Sequence, residues 1–161
     1  MTSFEKAAAF VLGHEGGYVN DPNDAGGETN LGISAKSYPD IDIKTLTRER
    51  AIEIYHADYW TRCKCGYLPA PIAFLLFDAA VNQGPAAAVR MLQKSLKSVR
   101  VDGIIGHETL TAIQNTPLRS IVCAFVARRA YQYALHPKVA HFGMGWFNRL
   151  AECHQRAQEE S

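Results

Sequence analysis

The chain has 161 residues, a length that suits one domain whose hydrophobic core folds without disulfide staples. Its 17 Lys and Arg nearly balance its 16 Asp and Glu, and the basic residues are scattered, so we expect no nucleic-acid-binding surface. The longest apolar stretch, residues 69–80, contains Asp78 and is too short to cross a bilayer, so we also expect no membrane insertion.

The N-terminal residues predict an amphipathic helix that ends at a pair of glycines. Phe4, Ala8, Val11 and Glu15 share one face of this helix, because they are spaced by three or four residues. The two glycines that follow Glu15 stop the helix and place this acid in its last turn. Partial desolvation and the negative end of the helix dipole both favour the protonated carboxyl. We therefore expect a raised pKa for Glu15, as a general acid working near neutral pH requires.

Residues 18–33 are rich in Asn, Asp and Gly and predict a small β-hairpin or structured loop. Tyr18 and Val19 have the pattern of a short strand, and residues 22–24 that of a turn. Residues 29–33 alternate between apolar and polar side chains, which predicts a second strand.

From Ser34 onward the pattern is helical. Thr45 or Thr47 caps a helix that runs through Trp60. Residues 72–81 are apolar nearly all round, which is typical of a central helix enclosed by others. Further helices are predicted over residues 85–96, after a Gly-rich turn at Asp102, over residues 117–136 and around residues 146–158. The predicted fold is mainly α, with one small β element near the N-terminus.

We expect the four cysteines to be ordinary reduced thiols. Cys63 and Cys65 are too close in sequence for a comfortable disulfide and lack the Cys-x-x-Cys spacing of zinc sites. A metal site built from these two thiols and His56 stays open as an alternative. Otherwise we expect neither a metal nor a cofactor.

Five segments of the chain resemble glycoside hydrolase family 108, the bacterial and phage N-acetylmuramidases with a lysozyme-like fold. The first and most specific is the run HEGGYVNDPNDAGGETNLGIS at residues 14–34. The others, in the same order as in the family, are LTRERAIEIYHADYW at 46–60, FDAAVNQGPAAA at 77–88, VDGIIGHET at 101–109 and FGMGWFNR at 142–149. The resemblance implies a catalytic region over residues 1–88 and a helical peptidoglycan-binding segment over residues 89–161, packed into one globule.

The resemblance implies that Glu15 is the catalytic acid. Phage-type lysozymes are a looser match: their catalytic Glu is followed, after eight intervening residues, by an Asp, and a Thr follows a few residues later. Asp24 stands at this spacing from Glu15, and Thr29 follows Asp24 with one intervening residue fewer than in that pattern. Glycoside hydrolysis needs a proton donor for the leaving oxygen and a carboxylate or held water across an oxocarbenium-like centre. Asp24, in a polar loop, fits the second role, although it and Thr29 also suit a turn and a strand.

Five further residues are candidates for substrate binding: Tyr18, Asn30, Tyr55, Asp78 and Asn82. The tyrosines offer flat faces to sugar rings, and Tyr18 is the better placed because it lies beside Glu15 in the sequence. Trp60 and Trp146 offer such faces too, although aromatic residues at helical spacing often pack in a core. Asp78 and Asn82 share a helix face, where a structural hydrogen bond and a groove position are equally compatible with the sequence.

The implied function is hydrolysis of the β-1,4 bond between N-acetylmuramic acid and N-acetylglucosamine in peptidoglycan glycan strands, by a monomeric enzyme. No signal peptide is recognisable. The implied setting is therefore an enzyme made in the cytoplasm that reaches the wall through a holin, as a phage or prophage endolysin does, or by another route. A lytic transglycosylase and a non-catalytic wall-binding or secretion-accessory module remain as alternatives.

Overall fold

A computed structural model of the chain describes residues 1–14, 17–18 and 28–160. These residues form seven α-helices and one two-stranded antiparallel sheet, so the prediction of a mainly α fold with a small β element is confirmed. The helices are α1 (Ser3–His14), α2 (Arg48–Ile54), α3 (Ala70–Gln83), α4 (Pro85–Ser95), α5 (His107–Gln114), α6 (Leu118–Ala134) and α7 (Val139–Gln158). The strands are β1 (Thr29–Asn30) and β2 (Ile33–Ser34).

Helix α3 is the centre of the fold, as its apolar sequence predicts. Every residue from Pro71 to Ala80 is buried. Helices α1, α4, α6 and α7 all pack against it, which explains why residues 71–80 are apolar nearly all round. One continuous hydrophobic cluster runs from Ala7 in α1 to Ala157 in α7, so the N-terminal and C-terminal halves share a core.

The small β element differs from the prediction. Residues 29–33 do not form one strand of a longer hairpin, because the chain reverses within this segment and pairs Thr29 with Ser34 and Asn30 with Ile33. The two linking residues, Leu31 and Gly32, have φ values of 51° and 75°, the left-handed conformations that tight two-residue hairpin turns require. Tyr18 lies outside any strand, whereas Val19 and the predicted turn at residues 22–24 fall outside the described residues.

The helical prediction from Ser34 onward is wrong for residues 35–42, which form turns. The Asp42 carboxylate accepts a hydrogen bond from the Lys44 N–H at 3.1 Å and starts a 3₁₀ turn at Ile43–Thr45. Of the two predicted caps for α2, Thr47 is the one used, because its hydroxyl accepts from the Arg50 N–H at 3.2 Å. The helix then continues as a π-helical segment, Tyr55–Thr61.

Helix α7 begins at Val139, seven residues before the predicted start at 146. Two glycines within FGMGWFNR weaken the helical pattern there, but Gly143 is closely packed against Val139 of the preceding turn. A Cβ at this position would lie 2.9 Å from the Val139 Cγ2 atom. The helix therefore keeps this glycine in spite of its low helix propensity.

The four cysteines are free. A hydrogen bond between Cys63 and Cys65 lowers the pKa of the first thiol and raises that of the second, which burial raises further. Within residues 1–14, 17–18 and 28–160, no three His, Cys, Asp or Glu side chains are grouped as metal ligands, and Cys63, Cys65 and His56 do not form such a group. In the same ranges, no helix combines the length and the apolar character needed to cross a membrane.

Candidate active site

The C-terminal end of α1 leads into the predicted catalytic segment. Ala8 and Val11, on the predicted apolar face, are buried and hold this helix on the core. His14, the last residue of the helix, contacts the Phe10 carbonyl at 3.0 Å through Nδ1 and the Glu152 carboxylate of α7 at 2.9 Å through Nε2. The end of α1 is therefore fixed to its own last turn and to the C-terminal helix. The predicted catalytic residues Glu15 and Asp24 lie outside the described residues.

Two side chains tie the β-hairpin, residues 29–34, to the helical body. The Asn30 amide donates to the Ile43 carbonyl at 3.1 Å. The Tyr55 hydroxyl donates to the Leu31 carbonyl at 2.7 Å, and Tyr55 is 0% exposed. In this conformation Tyr55 holds the hairpin turn instead of presenting a face to a sugar ring. Its predicted substrate contact is corrected to this supporting role, because a fully buried ring has no surface for a ligand.

Tyr18, by contrast, keeps a surface open to ligands at the edge of the hairpin. It is 40% exposed, and its hydroxyl donates to the Glu28 carboxylate at 2.9 Å. The Lys44 Nζ lies 6.0 Å from the centre of the Tyr18 ring. The Glu28 carbonyl accepts from the Ala35 N–H at 2.8 Å, which anchors this acid directly before Thr29, a half-buried residue of β1.

Glu28 makes a contact with a candidate site residue, Tyr18, that the sequence does not predict. It stands within the quoted run at residues 14–34, immediately before the predicted strand. Its only sequence signal is that it is a further acid in that run. The contact with Tyr18 spans ten residues, and no local pattern predicts such a pair. Through this hydrogen bond Glu28 orients the Tyr18 ring, including the exposed part of the ring.

A second polar cluster lies where α3 meets α6 and α7. Asp78 is 0% exposed and pairs with Arg129 at 2.8 Å and with Arg149 at 2.9 Å. Burial alone would raise the pKa of Asp78, but the charges and hydrogen bonds of the two guanidinium groups outweigh it and hold the pKa below its ordinary value. The Arg129 guanidinium also donates to the Tyr133 hydroxyl at 3.0 Å. The structure therefore favours the structural alternative for Asp78 over a groove position.

The sequence of α6 indicates one of the partners of Asp78. Ile121, Phe125 and Arg129 are spaced by four residues, so a charged residue continues an apolar stripe of α6. A charge on a buried stripe needs an opposite charge, and Asp78 is such a charge on another apolar helix. Two such residues on different helices are a reason to expect a buried ion pair.

The remaining candidates separate into surface and core positions. Asn82 is exposed, its amide donates to the Asp78 carbonyl at 2.8 Å, and it lines a cavity of about 270 Å³ together with His136 and Trp146. Trp60 is buried against the rings of Phe4 and Phe77 and belongs to the core. Tyr18 and Thr29 therefore lie at the hairpin, whereas Asn82 and Trp146 line a cavity formed by α3, α6 and α7.

The helical body around α3, together with the hairpin that follows α1 in the chain, defines a lysozyme-like fold. Comparison with known proteins supports a peptidoglycan-related function for this fold. Residues 8–84 match the family model of glycosyl hydrolase 108, and residues 87–151 match that of a predicted peptidoglycan domain. A solved structure described as that of Brucella abortus SagA is 34% identical, with a TM-score of 0.89, and the match covers 99% of this chain and 95% of that one.

The chain belongs to the glycosyl hydrolase 108 family, which confirms the resemblance found in the sequence. The family assignment supports a glycoside hydrolase, and the second segment supports peptidoglycan as its substrate or partner. No sequence among curated proteins matches the chain significantly.

Proposed function

We propose that this protein is an N-acetylmuramidase, which hydrolyses the β-1,4 bond between N-acetylmuramic acid and N-acetylglucosamine, with Glu15 as the general acid. The observation that carries the proposal is the family match over residues 8–84, which includes the run His-Glu-Gly-Gly-Tyr. The buried face of α1 and the contacts of His14 support it, because they attach the helix to the core and to α7 directly before this acid in the chain.

In the proposed reaction, Glu15 donates a proton to the leaving glycosidic oxygen. Asp24 stabilises the oxocarbenium-like centre or holds the attacking water, with Thr29 beside it. Tyr18 offers its exposed face to a sugar ring, and Glu28 keeps that ring oriented through the 2.9 Å hydrogen bond. The net chemistry adds one water across the bond, so each cut produces a reducing end.

The test is lysis of purified cell wall by the wild type, Glu15→Gln and a matched control, Glu49→Gln. Glu49 is an exposed acid in the first turn of α2, so the control removes the same charge elsewhere. We expect Glu15→Gln to lose activity by about 100- to 10,000-fold and the control to stay at the wild-type level. Unaltered lysis by a folded Glu15→Gln protein would refute the role of this residue.

The pH profile and the mass of the products separate the hydrolase from its alternatives. We expect wild-type activity to fall on the alkaline side, as the acid loses its proton. Hydrolysis adds one water to the products, whereas a lytic transglycosylase releases an anhydro sugar without added water. Binding of sacculi without any bond cleavage by the wild type would favour a wall-binding module, which the match over residues 87–151 makes a specific alternative.

A further inference from the structure

A trough lies on the face formed by the C-terminal end of α3 with α4, α6 and α7. It consists of two adjoining cavities, one of about 460 Å³ and one of about 270 Å³. Gln83 and Gln132 line both cavities, so the two spaces meet at these side chains. The larger cavity contains the basic residues of the trough, and the smaller one contains Asn82, His136 and Trp146.

The trough lies far from the end of α1. The ring centres of Phe10 in α1 and Phe74 in α3 are 5.3 Å apart, so the last turns of α1 meet the first turns of α3. Gln83 is the last residue of α3, nine positions beyond Phe74. At the rise of an α-helix this separation is about 14 Å along the axis. The trough therefore lies at the opposite end of α3 from the last turns of α1.

The larger cavity has a strong and uncompensated positive charge. Arg90, Lys94 and Arg128 line it, and no acidic residue does so among the residues that the structure describes. None of the three forms an ion pair in that part of the chain, and all three are exposed. These three charges exceed the net charge of the whole chain, which is +1. Such a concentration of one sign attracts an anionic ligand.

Arg90 is held in place by the loop before α5. Gly103 has a φ of 83°, and a Cβ on this residue would lie 3.2 Å from the Arg90 Cζ atom. The guanidinium group therefore packs against the bare glycine backbone. The loop is fixed in turn, because the Gly103 N–H donates to the Gln93 side chain at 2.8 Å. A positioned guanidinium loses less entropy when it binds a carboxylate than a freely rotating one does.

The junction of the two cavities is complementary to a peptide backbone. Gln83 and Gln132 offer amide groups, which match the N–H and C=O groups of a peptide. The Gln83 Oε1 atom is buried and has no hydrogen-bond partner within the described ranges. A buried acceptor of this kind gains a hydrogen bond when a ligand supplies an N–H group. Tyr131, 63% exposed, adds a flat apolar face beside the cations.

Another groove, between α1 and α7, lacks these properties. It is lined by charges of both signs, and these are paired with each other, as Lys6 is with Glu160 at 3.0 Å and Arg156 with Glu159 at 3.2 Å. A charged ligand there would have to displace existing partners. The trough, with its cations unpaired in the described structure, is the better anion site.

We infer that the trough binds the stem peptides of peptidoglycan, with Arg90, Lys94 and Arg128 facing peptide carboxylates and the two glutamines facing the peptide backbone. The choice of ligand rests on the proposed function and on the match of residues 87–151 to a predicted peptidoglycan domain, which includes all three cations. A stem peptide combines an amide backbone with free carboxylates, and these are the two chemistries that the trough offers. This contact holds the enzyme on the wall at a place that takes no part in bond cleavage.

The test measures binding of a stem peptide that has been released from its sugar by an amidase, by calorimetry with the full chain. This probe has no glycosidic bond, so its binding is independent of hydrolysis. We expect the triple variant Arg90→Gln/Lys94→Gln/Arg128→Gln to bind at least about tenfold more weakly than the wild type, and wild-type binding to weaken at high salt. The control triple variant Arg48→Gln/Arg62→Gln/Arg119→Gln removes three exposed charges elsewhere and should bind within about twofold of the wild type.

Several results would overturn the inference. These are equal weakening in both triple variants, absence of peptide binding by the wild type, and stronger binding of peptide-free glycan than of the peptide. Tighter binding of single-stranded DNA, lost in the same triple variant, would assign the trough to nucleic acid instead. If the triple variant does not fold, chemical-shift changes in the wild type decide, because the peptide should move the signals of Gln83 and Gln132 and leave those of the hairpin unchanged.

The Glu15→Gln variant separates this inference from the proposed function. We expect it to bind the stem peptide as the wild type does and to lyse no wall. If peptide binding is absent while lysis still depends on Glu15, only the trough inference fails. If the peptide binds while Glu15→Gln still lyses the wall, only the proposed function fails.

Discussion

The helical bundle around α3 and the β-hairpin at residues 29–34 are held by different kinds of interaction. In the bundle, the carboxylate of Asp78 joins three helices by pairing with Arg129 and Arg149 inside the core. The hairpin has strands of two residues each and is held by side chains that donate to its backbone or to the backbone beside it. The first kind of contact carries global stability, whereas the second positions one small element.

This difference has a consequence for function. The hairpin directly follows the predicted catalytic segment in the chain, whereas the buried cluster joins α3 to α6 and α7. We therefore expect damage to the cluster to destabilise the whole fold, and damage to the hairpin supports to lower activity in a protein that stays folded. Four changes test this contrast, in order of decreasing effect on the free energy of unfolding.

The largest effect is expected from Asp78→Asn. The substitution leaves the charge of Arg129, whose side chain is fully buried, without its carboxylate partner. Removing one partner of a buried ion pair costs about 3–5 kcal/mol. We expect a loss of this size in the free energy of unfolding, measured by urea denaturation, with wall lysis per folded molecule unchanged. A loss below about 1 kcal/mol would mean that the cluster contributes no more than a surface pair.

Acid should remove the same contribution gradually. The pKa of Asp78 lies below its ordinary value of 3.8 in the folded protein, so the unfolded chain binds the proton more readily. The contribution is then fully present above the unfolded pKa and is lost as the pH falls through the lower, folded pKa. We expect the difference in stability between the wild type and Asp78→Asn to shrink as the pH falls from about 5 to about 2. A difference that does not vary over this range would rule out titration of Asp78 as the cause.

These two regions also differ in how far the sequence predicts them. The run of apolar residues in α3 predicts a buried central helix, because only enclosure on all sides suits it. The partners of Asp78 lie 51 and 71 residues further along the chain, beyond the reach of any periodic pattern. The position of Arg129 on the apolar stripe of α6 indicates that it has a buried acidic partner. The stripe does not indicate which helix carries that partner.

The hairpin was harder to predict, for a physical reason. Five residues of alternating polarity are compatible with one strand and also with two very short strands. The chain reverses here because Leu31 has a positive φ, a conformation that leucine seldom adopts, so the sequence does not predict the reversal. The family motif identifies Glu15 and Asp24, but spacing alone does not tell which nearby side chains contact a sugar. Tyr55 and Asn30, both predicted to do so, make hydrogen bonds that hold the hairpin to the helical body.

Tyr55→Phe tests the hairpin side of the contrast. The change removes only the hydroxyl that donates to the Leu31 carbonyl, and we expect a loss of about 1–2 kcal/mol in the free energy of unfolding. Because the hairpin turn loses its support, wall lysis should fall by more than the unfolded fraction explains. Tyr67→Phe is the matched control, since Tyr67 is largely exposed, and it should leave both quantities unaltered. Equal activity in the two variants would contradict a role of Tyr55 in positioning the site.

Glu53→Gln should have the smallest effect, and it tests whether burial is what makes the cluster of Asp78 strong. Glu53 also pairs with an arginine, at 2.6 Å from Arg50, but both side chains are more than half exposed. Water screens such a pair and solvates either charge when its partner is removed, so we expect a change within about 0.5 kcal/mol. In both substitutions an amide replaces a carboxylate that is paired with a guanidinium group. If urea denaturation gives similar losses for Glu53→Gln and Asp78→Asn, desolvation of Arg129 is not the reason that the buried cluster matters.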